Sequence, residues 1–146
     1  MKKLAILAAG IILLIFVAAK YADKESDTAG NSGITFFTGS WEQAVELAKQ
    51  ENKPIFLDIS TSWCGYCRRM KANVFTDADV AAFYNASFIN VSLDAEHGEG
   101  SVLAGKYRVS AYPSFLFFNS DGSFSSQTAG YRNSDNFLEL GKRNKK

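Results

Sequence analysis

The chain has 146 residues, 47% hydrophobic and 21% charged, with a formal charge of +1. These values fit one globular domain of average composition and argue against a disordered chain, a collagen-like repeat or a disulfide-dense scaffold. The near-neutral balance gives no sign of a nucleic-acid partner, and the basic Lys142, Arg143, Lys145 and Lys146 read as a solvated tail. In chain order, Lys2 and Lys3 precede residues 4–19, a run without a single charge. As a helix that run spans about 24 Å, short of a hydrocarbon core of about 30 Å. A basic start, a short apolar run and the small Val17-Ala18-Ala19 at its end describe an export signal, cleaved or kept as a signal anchor. The rest of the chain is then expected outside the cytoplasm, in a periplasm or a comparable compartment. Residues 20–33 are polar and Gly/Ser-rich, as a linker is. The folded domain is expected over residues 34–146.

Within that domain, residues 34–37 (ITFF) predict a short strand. Ser40 opens a helix, with Gln43 placed as its capping-box partner and Trp41, Ala44, Val45 and Ala48 as its apolar stripe. That helix ends by Asn52, ahead of Pro54. Residues 55–59 (IFLDI) form an apolar run broken by one acid, the pattern of a strand buried on both faces. A helix is expected from near Cys64 to Phe75, and another, capped from residues 76–79, through Tyr84. Residues 88–93 predict a second buried strand, 94–100 an acidic glycine-rich loop and 101–107 a helix. Residues 114–118 and 124–128 predict antiparallel strands joined by the turn Asn119-Ser120-Asp121-Gly122. Ser134 caps a last helix that runs through Gly141. The order gives an α/β fold with a mixed central sheet flanked by helices.

The chemistry concentrates in Trp63-Cys64-Gly65-Tyr66-Cys67, which holds both cysteines of the chain. Structural disulfides elsewhere are therefore excluded. Two cysteines three apart at the start of a helix can close a small disulfide, and the first meets the unpaired N–H groups that favour a thiolate. A thiol with a pKa of about 8.5 is roughly 3% thiolate at pH 7, whereas at about 7 it is half ionised. Arg68 and Arg69 add positive charge nearby. The second cysteine, one turn in and less exposed, suits the resolving role. A purely structural disulfide would constrain little of the unfolded chain. A closed metal site needs more ligands than two cysteines and His97, which reads as a solvated loop residue. A copper-carrying pair stays open as an alternative, and redox chemistry is the main expectation.

Residues from about 34 to the C-terminus resemble the thioredoxin superfamily, especially extracytoplasmic thioredoxin-like domains and the C-terminal domain of the DsbD reductant transporters. The motif around Cys64 and Cys67 matches that family's redox motif. Asp58, six residues earlier, falls where the family has a buried acid. Residues 107–114 (YRVSAYPS) resemble the segment that ends in the family's cis-proline, here Pro113, and Gly130 falls where the family has a glycine beside the substrate groove. The resemblance implies a thioredoxin-like fold and a thiol–disulfide oxidoreductase. Cys64 would attack, Cys67 would resolve, and a buried Asp58 with a raised pKa would relay the proton. Trp63, Gly65, Tyr66, Tyr112, Pro113 and Gly130 would form the substrate groove, where the Tyr112 backbone could pair with an extended client chain. Two departures stand out: the dipeptide between the cysteines is Gly65-Tyr66, and the lysine neighbouring the family's acid aligns with Asn90.

The expected partners are cysteine-containing client proteins and a membrane or extracytoplasmic thiol–disulfide electron donor, with a possible N-terminal membrane anchor. No cofactor and no metal are called for. Reduction of protein disulfides is the preferred direction. The alternatives are a disulfide oxidase or isomerase, or a non-catalytic client-binding or metal-carrying module.

Overall fold

The structure is a computed structural model that describes residues 33–145. The export segment expected at residues 1–19 and the linker expected at 20–33, Gly33 apart, lie outside the described residues. Among the described residues no helix is long and apolar enough to cross a membrane.

The apolar run at 55–59 forms β1 (Ile55–Ser60), every residue of it buried. It lies inside a four-stranded sheet ordered β2 (Ile89–Asp94), β1, β3 (Ser114–Phe118), β4 (Phe124–Ala129). β1 runs parallel to β2 and antiparallel to β3, and β3 is antiparallel to β4, so the sheet is mixed, as expected. Successive side chains of a strand point to opposite faces, and each face has its own core. Ile55, Leu57, Ile59, Leu116 and Phe118 pack with residues of α1 (Trp41–Glu51) and α4 (Gly98–Lys106). Phe56, Phe115 and Phe117 pack on the other face. There they meet residues of the π-helical turn Met70–Val74 that continues α2 (Gly65–Arg69), and of α3 (Ala78–Ser87) and α5 (Ser134–Asn144). Asp58 has the parity of Phe56, so it points to the face that α2 and its π turn cover.

The second core is built from aromatic rings. The Phe56 ring lies 5.0 Å from Tyr84, 5.5 Å from Phe117 and 5.6 Å from Phe137. Tyr84 stacks on Phe137 at 4.6 Å and donates its hydroxyl to the Phe137 carbonyl at 2.9 Å. Truncating so enclosed a ring leaves a cavity that neighbours anchored to a sheet and three helical segments cannot close. Phe56→Ala is expected to cost about 3–5 kcal/mol in denaturant unfolding, against about 0.5 kcal/mol or less for Val102→Ala on the exposed face of α4. Equal costs would contradict the packing described.

Helix α1 follows its expected signals, with the Ser40–Gln43 capping box formed and Asn52 closing it in the left-handed conformation. Other boundaries differ. Residues 34–37 form no strand. Phe37 N–H reaches the Asn90 carbonyl at 2.8 Å, but the side chains of Asn85 and Asn90 take the Thr35 N–H and carbonyl in place of a strand ladder. α4 starts at Gly98, three residues early, with Gly98 at φ 52° as its first residue. Asn133 caps α5 in place of Ser134, accepting the Asn136 N–H at 3.0 Å.

Candidate active site

Cys64, four residues beyond β1, is extended and N-caps α2, so its Sγ accepts the Cys67 N–H at 3.1 Å. Sγ of Cys64 and Sγ of Cys67 are joined in a disulfide, with the Cα atoms 5.3 Å apart. The expected contrast between an exposed and a deep cysteine is small in this oxidised pair: Cys64 is 5% exposed and Cys67 2%. What stands out is the rim, with Trp63 64% and Tyr66 57% exposed. Position on the helix therefore distinguishes the sulfurs more than accessibility does. Cys64 alone occupies the cap and receives a backbone N–H, an arrangement that stabilises a thiolate there.

Asp58 is buried on the α2 side of the sheet. Loss of water pushes its carboxyl from 3.8 up to about 6, although the Ser92 hydroxyl and the Lys71 charge pull the other way. Ser92 Oγ–H donates to Asp58 Oδ2 at 2.8 Å. Asn90, aligned with the family's lysine, makes no contact with this acid. The β1–β2 register pairs Asp58 with Ser92 and Phe56 with Asn90. The Asn90 amide is occupied elsewhere, donating to the carbonyls of Thr35 and Tyr84. The cation near Asp58 is Lys71, which donates to Ser60 Oγ at 3.2 Å. Sequence reasoning missed it, yet Lys71 lies four residues after Cys67, on the same helical face one turn on. Ser60, Thr61, Ser92, Lys71 and Asp94 line an open polar pocket of about 290 Å³. Ser92 thus connects a buried carboxyl to an open polar pocket.

The expected groove residues meet in pairs. The Tyr112–Pro113 peptide bond is cis. Gly130 N–H donates to the Pro113 carbonyl at 2.8 Å. Gly130 has φ +96°, a conformation that needs glycine, and a Cβ added there would meet nothing within 4 Å. Trp63 packs edge-on to Tyr112 at 5.9 Å, and its ring N–H donates to Glu96 Oε1 at 3.0 Å, a partner the sequence did not suggest. Tyr66 lies 6.1 Å from Tyr131. Gly65 has ample room, since an added Cβ would come no closer than 3.9 Å to the Arg68 guanidinium. His97 is exposed and sits 3.2 Å from Asp94 Oδ2, in the loop before α4.

Comparison with known proteins bears on this arrangement. Residues 37–120 match the family model described as Thioredoxin-like. The chain is 30% identical over 100 residues to the thiol:disulfide interchange protein DsbD of Yersinia pestis, covering 66% of this chain and 17% of that protein. The chain therefore spans about a sixth of the length of that relative. Its structure resembles the solution structure of a proposed disulphide-isomerase from Bacteroides thetaiotaomicron, with a TM-score of 0.69 and 39% identity. That match covers 78% of this chain and 97% of that one. It also resembles the oxidised DsbD C-terminal domain of Neisseria meningitidis, with a TM-score of 0.61 and 26% identity over 76% of this chain and 98% of that one. A family match over more than half the chain, on the same mixed sheet and with the cysteine pair in place, makes this chain a member of the Thioredoxin-like family.

Proposed function

We propose that this protein is an extracytoplasmic thiol–disulfide oxidoreductase that reduces disulfides in client proteins. In the reduced protein, the Cys64 thiolate attacks one sulfur of a client disulfide. A mixed disulfide forms, and the client's other sulfur leaves as a thiolate. The Cys67 thiol then gives its proton to Asp58, and its sulfur attacks Cys64. The second client thiolate departs, two electrons have passed to the client, and the Cys64–Cys67 disulfide remains. A thiol–disulfide donor at the membrane or in the same compartment returns the pair to the dithiol. Trp63, Gly65, Tyr66, Tyr112, Pro113 and Gly130 form the groove in which the client lies.

The observation that carries this reading is the buried Asp58 on the sheet face beneath α2, a carboxyl held near pKa 6 and so able to take up and release a proton close to neutral pH. The thiol:disulfide interchange name of the Yersinia relative supports the reaction class. The basic and apolar segment at residues 2–19 supports the location. A second reading, disulfide isomerase, is favoured by the description of the Bacteroides structure.

The direction is tested by equilibrating the Cys64/Cys67 pair with glutathione and by insulin reduction with and without dithiothreitol. The reductase reading expects a potential near the thioredoxin value of about −270 mV and catalysed insulin reduction. A value near the strong-oxidant end, about −120 mV, would overturn it in favour of oxidation or isomerisation.

A further inference from the structure

One edge of the redox site carries a cluster that thiol exchange itself does not require. Tyr66 sits between the cysteines, and Tyr131, 37% exposed, follows Gly130 in the loop between β4 and α5. The Arg69 guanidinium carbon lies 4.9 Å from the centre of the Tyr131 ring and 6.0 Å from that of Tyr66. Arg69 is therefore laid against two exposed rings. The Arg68 guanidinium donates to the Ser62 carbonyl at 3.1 Å, and that of Arg132 to Thr128 Oγ1 at 2.6 Å. The ion pairs among the described residues are Lys53–Glu51, His97–Asp94 and Lys142–Glu139. None of the three arginines has a carboxylate partner in them.

The carboxylate that contacts the rim belongs to the other edge. Glu96, which accepts from Trp63, lies in the loop after β2, while Tyr131 lies in the loop after β4. β2 and β4 are the opposite edge strands of the sheet. The rim thus carries Arg69 with Tyr66 and Tyr131 on the β4 side and Glu96 with Trp63 on the β2 side. A guanidinium stacked on rings keeps its in-plane N–H groups free for a carboxylate, which it can bind with two parallel hydrogen bonds. Having been positioned beforehand, it loses little conformational freedom on binding.

We propose that Arg69, held against Tyr66 and Tyr131, selects clients whose reacting cysteine lies in an acidic segment, with the client carboxylate seated on the β4 side of the pair. The inference rests on the client-reducing function proposed above, because it names the class of client for that same groove. Arg68 and Arg132 add to the positive field that draws such a segment in, a contribution that salt weakens.

The test uses two synthetic peptides, identical except for Glu or Lys two residues from a cysteine held in a mixed disulfide. Serine-for-cysteine versions of both report binding without any redox step. The wild-type protein is expected to bind and reduce the Glu peptide about five- to tenfold better at low salt, with the preference shrinking as salt is added. Arg69→Gln should bring the two peptides together, and Arg69→Glu should reverse their order. Arg69→Lys keeps the charge but loses the planar fork and should retain only part of the preference. Equal binding of both serine peptides, unmoved by Arg69→Glu, would overturn the proposal even if both disulfides were reduced. Charge-selective binding by a protein that reduces neither peptide nor insulin would leave the selection standing and remove the reductase reading.

Discussion

Cys67→Ala is expected to collect client proteins as mixed disulfides through Cys64, seen as reductant-sensitive bands on non-reducing gels, whereas Cys64→Ala should collect almost none. The asymmetry comes from the helix start. Cys64 is the cap residue of α2 and its sulfur receives the Cys67 N–H at 3.1 Å, while Cys67 is inside the first turn. A thiol whose pKa falls from about 8.5 to about 7 gains roughly fifteenfold in thiolate at pH 7. In the reduced protein, alkylation at pH 7 should therefore favour Cys64 by about tenfold. The exposed Trp63 directly precedes Cys64, while Cys67 follows Tyr66 one turn into the helix, so a client sulfur is expected at the first cysteine. Once Cys67 is gone, nothing in the chain can expel the client, because these two are its only cysteines. Equal trapping by both variants, or faster alkylation of Cys67, would reverse the roles. The trapped species would also show whether client cysteines lie in acidic segments.

Much of the framework was legible because the signals were local and strong. The continuous apolar run of β1, the Ser40–Gln43 capping box and the Asn119–Gly122 turn each depend on neighbours within a few residues. Cys64, Cys67 and Asp58 were readable from spacing and family resemblance, and Asp58 is buried as that resemblance implied. The misses share a different physical origin. Residues 34–37 have the composition of a strand, but the amides of Asn85 and Asn90, some fifty residues away, capture the Thr35 backbone groups. The hydrogen-bond partner of Asp58, Ser92, was not legible because cross-strand pairing depends on how β1 and β2 are registered. Lys71 was overlooked because its link to Asp58 crosses from a helix to a sheet. Glu96 was overlooked because only the folded β2–α4 loop brings it to Trp63.

The burial of Asp58 shapes what Asp58→Asn should do. Asp58 is buried and holds its proton up to about pH 6, against 3.8 when unperturbed. The folded state binds that proton more tightly than the unfolded chain does. Its contribution to stability is therefore complete below about pH 3.8 and is lost as pH rises through about 6. The gap between the two values corresponds to about 3 kcal/mol. The substituted amide carries no charge at any pH, and its carbonyl can still accept from Ser92. The variant should accordingly be more stable than the wild type above pH 6, by up to about 3 kcal/mol, and should lack the wild-type decline between pH 4 and pH 6. Turnover should move the opposite way. Without a carboxylate to take the Cys67 proton, resolution of the mixed disulfide near neutral pH should slow by about 10²-fold, and the pH step near 6 should disappear from the single-turnover rate. Lys71→Met provides a graded companion. Removing the cation that opposes desolvation lets Asp58 keep its proton to higher pH, so the rate step and the upper end of the stability decline should move upward without vanishing. If Asp58→Asn kept the wild-type rate and the wild-type pH slope of stability, Asp58 would be neither a relay nor a buried titrating group. If only Lys71→Met were silent, the relay would stand, with Ser92 and the polar pocket as its route to solvent.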